Sequence, residues 1–407
     1  MSTPVIATPS SLAMARSPQF ITGKNNTLAN DTLNAMTIDL RIRTGVLSAS
    51  GSANFSITKN YSIDEVINFE VSDFVRAQFA HDFDFITDTL GYSQSPIGEA
   101  LWVVPTGSWT FSNNGASPSN AIFPDETETA YAYLTTDGWR PRNDLQPTEV
   151  TQPVLATSRN RQVLASNYEV LGIYNSAAND LARIEIAWNG GTSYPLYTSI
   201  SSTTPPDPTT QNTQDLVIYA GVGPANLQNN TWINNAIKPS NFQSGDYYDV
   251  MLFDSVDSII ASVRYYLVCE PKYTPYQISF INRYGVADYI TFFKRSDENG
   301  SFTQDSYQKS IYNDGFTTPS LEIGKYASYN VNSRNSLTLN TGFVDQDYDE
   351  TIKDILMSEY VAVLDGSNWV SVVPERGSVE YQKHVNQKLI NYTLSFTYGF
   401  DERSLVR

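Results

Sequence analysis

The strongest constraint on how this chain folds is a two-residue alternation of apolar and polar side chains near its end. Five large apolar residues in the segment 389–400 are separated by Asn, Thr, Ser or Gly: Tyr392, Leu394, Phe396, Tyr398 and Phe400. Successive side chains of a β-strand point to opposite faces of the sheet. The alternation therefore predicts a long antiparallel strand that buries all five residues on one face.

Similar alternation recurs along the chain, for example at Ala35–Thr44, and polar turn sequences separate several strand-like segments. Three of these turns predict β-hairpins, at 189–192 (Asn-Gly-Gly-Thr), 254–257 (Asp-Ser-Val-Asp) and 332–335 (Asn-Ser-Arg-Asn). Strands and turns of this kind account for most of the sequence. We therefore predict a mainly β fold, with β-sandwich-like antiparallel domains and a few short helices.

Two segments show the spacing of a short helix instead. The first has Ser72 as its expected N-cap and apolar residues from Val71 to Phe79. The second begins at Asp347, whose acidic neighbours favour a helix N-terminus. Its apolar face is predicted to consist of Tyr348, Ile352, Ile355 and Leu356.

Changes in composition divide the chain into four parts. Residues 1–34 are rich in Ser, Thr, Pro and Asn and are expected to form an N-terminal arm that becomes ordered only on another surface. A β-rich domain is predicted over 35–150 and a β-sandwich-like domain over 151–272. Residues 273–407 are predicted to form a C-terminal domain that is α+β or β-rich.

The charge balance limits the partners of the protein. The sequence has 26 Lys and Arg against 43 Asp and Glu, which gives a formal net charge of −17. Such a chain is not suited to coating nucleic acid, whose phosphates are bound by basic side chains, and we expect no sequence-specific nucleic-acid binding. No apolar run reaches the length of about 18–20 residues that crosses a bilayer. The N-terminus has no apolar signal core. Neither membrane insertion nor export by the usual route is expected.

The sequence carries no catalytic signature and predicts no enzyme. The two histidines are His81, expected to interact with the dipole at the end of the first helix, and His384, expected to be exposed. Neither adjoins a nucleophile motif, and no phosphate-binding or dinucleotide-binding loop occurs. Cys269 follows two apolar residues and is expected to be a buried structural thiol. We expect no catalytic residues, no cofactor-binding residues and no cofactor.

Two acidic runs contain residue types that could form a metal or catalytic site. The run from Asp345 to Asp349 opens like a calcium loop, but Glu350 stands where glycine is required and Leu356 where glutamate is required. A helix N-terminus is the preferred interpretation, and no metal ligands are predicted. Asp82, Asp84 and Asp88 alternate with apolar residues, which is typical of a half-exposed strand or loop. A catalytic carboxylate pair remains an alternative because nothing singles out or excludes a pair.

The aromatic residues leave a choice between packing and sugar binding. The six tryptophans are at positions 102, 109, 139, 188, 232 and 369. Apolar neighbours at 102 and 369 favour packing in the core or between subunits. The alternative is a carbohydrate-binding surface built from exposed aromatics in long loops such as 113–121 and 203–212.

Three segments resemble uncharacterised virion structural proteins of tailed bacteriophages. They are EPKYTPYQISFINRYGVADYITFFKRS at 270–296, NQKLINYTLSFTYGFDE at 386–402 and ARSPQFI at 15–21. The resemblance implies a non-enzymatic component of the tail or neck, made in the host cytoplasm and located in the virion. It carries no functional residues with it.

The partners that this resemblance implies are further copies of the chain, arranged as a symmetric oligomer, and other tail, neck or portal proteins. A strand-rich chain without disulfides suits such an assembly, because repeated surface complementarity builds it. Alternatives are a tail-tip module that binds a receptor or carbohydrate, a capsid decoration protein, and a tail-associated glycan depolymerase.

Overall fold

The computed structural model describes residues 5–9, 12–24, 31–44, 52–60, 66–81, 92–94, 100–113, 119–123, 131–139, 149–150, 152–176, 180–197, 216–229, 245–269, 272–310, 324–376 and 389–403. The chain divides into two compact units. Unit 1 contains Met1–Cys269, Ser279–Ile290 and Asp347–Ser358. Unit 2 contains Glu270–Ile278, Thr291–Gln346 and Glu359–Arg407.

In the described residues up to Cys269, the elements are strands and two short helices. The strands are β1 (Val5–Ala7), β2 (Leu12–Met14), β3 (Phe20–Lys24), β4 (Asp31–Thr44), β5 (Phe55–Asn60), β6 (Val66–Glu70), β7 (Tyr92–Gln94), β8 (Ala100–Asn113), β9 (Ser119–Phe123), β10 (Tyr133–Thr136), β11 (Glu149–Val150), β12 (Asn160–Val163), β13 (Val170–Asn175), β14 (Leu181–Trp188), β15 (Ser193–Tyr197), β16 (Leu216–Gly221), β17 (Tyr247–Asp254) and β18 (Ile259–Leu267). The helices are α1 (Ser72–Arg76) and α2 (Pro224–Asn229).

The remaining elements are again mostly strands. They are β19 (Tyr276–Ile281), β20 (Ala287–Phe292), β21 (Asp297–Gln308), β22 (Tyr326–Asp345), α3 (Tyr348–Met357), β23 (Val361–Asp365), β24 (Asn368–Pro374), β25 (Leu389–Tyr398) and β26 (Glu402–Arg403). The boundary between the two units falls within β19 and β20. The protein is thus mainly β with several antiparallel sheets, as the sequence predicted.

The described residues of unit 1 form two sheet pairs, each with its own core. Strands β11-β2-β10-β8-β4-β5, with β9 beside β8, form a seven-stranded sheet, and β1-β3-β6 form a three-stranded one. Their apolar residues belong to one buried cluster, to which β4 contributes Met36, Ile38 and Leu40 from alternate positions. The alternation seen in the sequence at Ala35–Thr44 therefore corresponds to one buried face.

The second core of unit 1 is a β-sandwich. The sheet β12-β18-β17-β14-β15 and the sheet β13-β16-β7 contribute residues to a single buried cluster. The predicted turn at 189–192 joins β14 to β15, with Ala187 paired to Ser193. Asn189 and Gly190 have φ values of 47° and 71°, the left-handed conformation that an Asn-Gly turn supplies. The predicted hairpin around 254–257 joins β17 to β18.

The described strands of unit 2 include an antiparallel ladder in the order β23-β24-β25-β22-β21, with β26 also paired to β22. Strand β25 supplies the predicted buried face, but only over part of its length. Tyr392, Leu394 and Phe396 are buried, whereas Tyr398 is half-buried and Phe400 is exposed. The strand ends at Tyr398, so the prediction that Phe400 is buried was wrong.

The prediction of a hairpin at 332–335 was also wrong. Strand β22 continues through these residues as part of one 20-residue strand. Asn332 and Ser333 pair with β21 on one side and with β26 on the other. Polar residues alone predict a turn, but hydrogen bonds to two neighbouring strands keep this segment extended.

The predicted N-terminal arm is partly incorporated into the first core. Strand β2 pairs with β10 and β11, and Leu12 and Ala13 are buried. Strand β2 has only three residues, but their pairing and burial are enough to fix this segment, although its composition resembles that of a loop. The boundaries at residues 34, 150 and 272 remain predictions.

Both predicted helices are present, with small differences at their ends. Ser72 is the first residue of α1 and not its N-cap; Val71 occupies that position, and the Ser72 hydroxyl donates to Glu70. Asp347 is the N-cap of α3, although its side chain makes no capping hydrogen bond. Tyr348, Ile352 and Ile355 are buried as predicted, whereas Leu356 is half-buried.

Candidate functional site

The most exposed regular structure in the described residues is the part of the β21–β22 pair in unit 2 that extends beyond β25. We call residues 301–308 of β21 and 326–333 of β22 the aromatic ribbon. All twelve residues of β21 are exposed, although the strand is paired along its length with β22. Soluble proteins seldom leave a strand uncovered on both faces, because two strands alone are marginally stable in water.

The ribbon carries aromatic side chains on both faces. Tyr307 and Tyr329 lie on one face with their ring centroids 5.7 Å apart, edge to face. The register with β22 places Phe302 and Tyr326 on the other face. The four side chains are between 51% and 73% exposed. Exposed aromatic groups concentrated in one element mark an interaction site more often than single exposed residues do.

A bulge and two side-chain hydrogen bonds shape the ribbon. The register shifts between Thr303 and Asp305, and Asn330 on the partner strand has a φ of 50°. Asparagine tolerates this left-handed conformation, and its amide donates to Asp305 over 2.9 Å. A bulge increases the local twist of the strands. The ribbon is therefore shaped by specific contacts and is not an irregular loop.

Strand β21 is also the last strand of its ladder. Among the described residues it pairs only with β22, so its outer edge presents unpaired backbone N–H and C=O groups. Natural proteins usually protect such an edge with proline, a bulge or a covering segment. Strand β21 contains no proline, and the bulged residue lies on β22.

Unit 1 has the opposite character, because it buries charged side chains. Arg161 on β12 donates to Asp288 on β20 and, over 3.3 Å, to Glu169. All three side chains are at most 6% exposed. The second oxygen of Asp288 accepts a hydrogen bond from Asn282 over 3.1 Å and from Thr157 over 3.3 Å. One guanidinium and several neutral donors thus satisfy two buried carboxylates.

The electrostatic consequence falls on Glu169. Burial raises the pKa of Glu169 from 4.5 to about 7, and Arg161 offsets only part of this effect. Burial lowers the pKa of Arg161, whereas the carboxylate of Asp288 raises it. The resulting pKa is well above the ordinary value of arginine. Arg161 therefore remains charged, whereas Glu169 changes its protonation near neutral pH.

A second buried ion pair holds the turn between β19 and β20. The backbone N–H and the guanidinium of Arg283 donate to Asp354 on α3 at 2.8–3.0 Å. The same turn lies against residues 137–139, where the N–H of Trp139 donates to the carbonyl of Arg283 over 2.7 Å. A Cβ on Gly285 would lie 2.5 Å from the backbone nitrogen of Asp137, so only glycine fits there.

His81 belongs to a third buried cluster, and its predicted role was wrong. Helix α1 ends at Arg76, and the Nε2 atom of His81 lies 3.1 Å from a carboxylate oxygen of Asp137. Arg16 donates to both oxygens of that carboxylate, at 2.6 and 2.9 Å. Burial raises the pKa of Asp137, but the hydrogen bonds from His81 and Arg16 outweigh it, and the pKa is lowered. The partner of His81 is therefore Asp137, which is distant in sequence, and not the dipole of α1.

Cys269 was predicted to be buried, but it is exposed. Strand β18 ends at Leu267, and Val268 and Cys269 follow it outside any strand. In the predicted calcium-like run, Asp347 accepts a hydrogen bond from Asn160 over 3.2 Å. No group of three or more His, Cys, Asp or Glu residues suited to a metal ion occurs in the described part of the chain.

Several candidates from the sequence lie outside the described residues. These are His384, the acidic residues 82, 84 and 88, the loop 203–212 and most of the loop 113–121. Of the tryptophans, Trp102 and Trp139 are buried and Trp188 packs against the sandwich core.

Within the described ranges, no helix is long and apolar enough to cross a membrane.

Sequence reasoning missed both the ribbon and the buried charges. The ribbon did have a signal, because Phe302 and Tyr307 stand among Ser, Thr, Gln and Asp without aliphatic neighbours. A strand that packs on its own core is usually richer in aliphatic residues. Arg161 and Asp288 are 127 positions apart, and a single sequence contains nothing that links them.

Comparison with known proteins does not assign the chain to a family. No family model and no curated protein matches it. Among solved structures, a crystal structure of a Salmonella alpha-2-macroglobulin mutant aligns with 97% of this chain at 7% identity and a TM-score of 0.18. The alignment spans 27% of that much longer protein.

Proposed function

We propose that the protein is a non-enzymatic structural component of a tailed-bacteriophage particle, in the tail or neck, that assembles through symmetric contacts between copies. The observation that carries this proposal is the aromatic ribbon. An exposed ribbon with aromatic side chains on both faces is suited to a partner surface and not to the interior of its own unit.

The exposed aromatic area of the ribbon is large enough to form a substantial part of an interface. An aromatic side chain offers about 150–250 Å², and each of the four is at least half exposed. The ribbon therefore presents on the order of 500 Å² of aromatic surface per copy, compared with about 800 Å² per partner in a standard interface. The resemblance of segments 15–21, 270–296 and 386–402 to virion structural proteins supports the same proposal.

The mass of the full chain in solution tests the proposal. We expect light scattering to show multimers of defined size. The variant Phe302→Ser, Tyr307→Ser, Tyr326→Ser, Tyr329→Ser should remain folded by circular dichroism and form fewer multimers. Phe400→Ser, which removes an exposed aromatic outside the ribbon, is the control and should assemble like the wild type. A wild-type monomer at all concentrations would contradict the proposal.

Enzymatic and receptor-binding roles give different results. If the protein has no enzymatic role, His81→Gln combined with His384→Gln should leave phage infectivity within a few fold. Release of sugars from the host envelope by the purified protein would instead support a glycan depolymerase. Loss of glycan-array binding in the ribbon variant, with an unchanged solution mass, would support a carbohydrate-binding tail-tip module. Density for the chain in a virion map would establish its position.

A further inference from the structure

We infer that the outer edge of strand β21 pairs with the same edge of a second copy, antiparallel, around a twofold axis at Thr303. The inference rests on the proposed function, because it specifies which surface makes one of the contacts between copies. Such strand addition satisfies the unpaired backbone groups of both edges at once. Combined with a cyclic contact elsewhere, a twofold contact gives dihedral assemblies.

The geometry of a sheet restricts the registers that are available. A twofold axis normal to the sheet keeps each face continuous across the two copies. A residue at the axis then lies opposite its own counterpart, and opposite residues point to the same face. For the twelve-residue edge 297–308, the well-overlapping registers are those centred on residues 301 to 305.

The charges on the edge distinguish these registers. Centring on Ser301 places Asp297 opposite Asp305, and centring on Asp305 places that residue opposite itself. Both arrangements are unfavourable, because like charges directly opposite each other destabilise a sheet. Registers centred on residues 302 and 304 avoid these contacts but place no opposite charges opposite each other. Centring on Thr303 avoids the contacts and also places Asp297 of each copy opposite Lys309 of the other. The twofold axis produces this favourable pair twice.

The positions of the two charged groups fit this pairing. The N–H of Lys309 donates to the carbonyl of Lys325 over 2.9 Å, so the ladder with β22 extends as far as Lys309. Asp297 accepts hydrogen bonds from Arg295 through one oxygen, Oδ1, at 2.8 and 3.0 Å. Its other oxygen can accept from Lys309 of the second copy. The side chain of Asp297 is 50% exposed, which allows this contact.

The aromatic side chains also gain neighbours in this register. Phe302 lies opposite Gln304 of the second copy and diagonal to the second Phe302, on the same face. Diagonal neighbours are about 7–8 Å apart, which aromatic side chains can span. Phe302 is the most exposed of the four ribbon aromatics, at 73%. Pairing therefore covers the aromatic group that has the largest exposed fraction.

Charge reversal tests the register. Lys309→Asp places two acids opposite each other at both ends of the paired edge, and we expect dimerisation to weaken about tenfold. The double variant Asp297→Lys, Lys309→Asp restores opposite charges and should recover most of the affinity. Lys309→Asp is the better single change, because Asp297 also pairs with Arg295 within its own chain. Analytical ultracentrifugation of the full chain measures both effects.

Cross-linking gives an independent test in a Cys269→Ser background, which removes the native cysteine. Thr303→Cys should form a disulfide between copies under mild oxidation, because directly opposite residues lie about 4.5–5.5 Å apart. Ser306→Cys is the matched control on the same strand. In this register its counterpart is displaced by six residues, roughly 20 Å, and it should not cross-link.

The possible outcomes separate this inference from the proposed function. Multimers that persist in Lys309→Asp, with no Thr303→Cys cross-link, would overturn the edge pairing and leave self-assembly intact. Loss of affinity in Lys309→Asp without recovery in the double variant would overturn the register. A wild-type chain that is monomeric throughout would overturn both.

Discussion

The two units distribute polar and apolar side chains in opposite ways. Unit 1 places Arg161, Glu169 and Asp288 in its interior, whereas the aromatic ribbon of unit 2 directs tyrosine and phenylalanine side chains into solvent. The buried charges have their partners within the unit, and no further contact is needed to explain them. The exposed aromatics have no such explanation within the chain described. The difference indicates which region completes its contacts internally and which is suited to a partner.

The buried charges should be the most sensitive to mutation. Arg161→Met leaves two carboxylates buried without their shared cation, and removing one partner of a buried ion pair costs about 3–5 kcal/mol. We expect a loss near 5 kcal/mol in the free energy of unfolding, measured by urea denaturation. Arg183→Met, whose ion pairs with Glu185 and Asp257 are more exposed to solvent, should cost much less.

A second substitution sharpens this test. In the double variant Arg161→Met, Glu169→Gln, one of the two buried acids can no longer carry charge. If uncompensated charge is the cause of the loss, the double variant should be more stable than Arg161→Met alone. If both variants are equally unstable, lost packing explains the effect and the contrast between the units becomes weaker.

Two aromatics near the end of the chain repeat the comparison within unit 2. Phe396 is fully buried against Phe292, with ring centroids 6.1 Å apart, whereas Phe400 is 70% exposed. Phe396→Ala should cost about 3–5 kcal/mol, and Phe400→Ala should change stability by less than about 0.5 kcal/mol. Thermal unfolding of both variants measures the difference. Equal losses of stability would show that the exposed fraction of an aromatic side chain does not indicate whether it stabilises the fold.

The smallest expected effect concerns pH. The raised pKa of Glu169, about 7 against an ordinary 4.5, means that the folded chain holds a proton which the unfolded chain releases between pH 4.5 and 7. Stability therefore falls as the pH rises through this range. Glu169→Gln should match the wild type near pH 4.5 and exceed it by at most about 3.4 kcal/mol above pH 7, at 1.36 kcal/mol per pH unit.

Asp137 provides a control of opposite sign. Its pKa lies below the ordinary 3.8, so its contribution to stability is present above that value and disappears as the pH falls further. Asp137→Asn should be destabilised at pH 7, with a smaller loss at pH 3. Urea denaturation at several pH values measures both variants. The same pH profile for Glu169→Gln and the wild type would show that Glu169 is ionised at neutral pH despite its burial.

Local patterns predicted the strands, but not what covers them. The alternation around β4 and β25 and the Asn-Gly turn at 189–190 identified elements correctly, because they depend on neighbouring residues only. The stretch 332–335 was mistaken for a turn, since strands β21 and β26, which keep it extended, lie elsewhere in the sequence. The exposed aromatic ribbon escaped prediction for a related reason. Alternation shows that a strand has a distinct face and does not show whether its own core or another molecule covers it.

The discontinuity of unit 1 has a consequence for synthesis. Its last segment ends at Ser358, about ninety residues after Cys269. At translation rates of roughly 5–20 residues per second, Ser358 is synthesised about 5–20 seconds after Cys269. Arg161 leaves the ribosome with Glu169 close behind, but Asp288 follows much later. During this interval the core of unit 1 is incomplete in the nascent chain. The rate of translation through residues 270–358 therefore sets how long this incomplete core is accessible to chaperones.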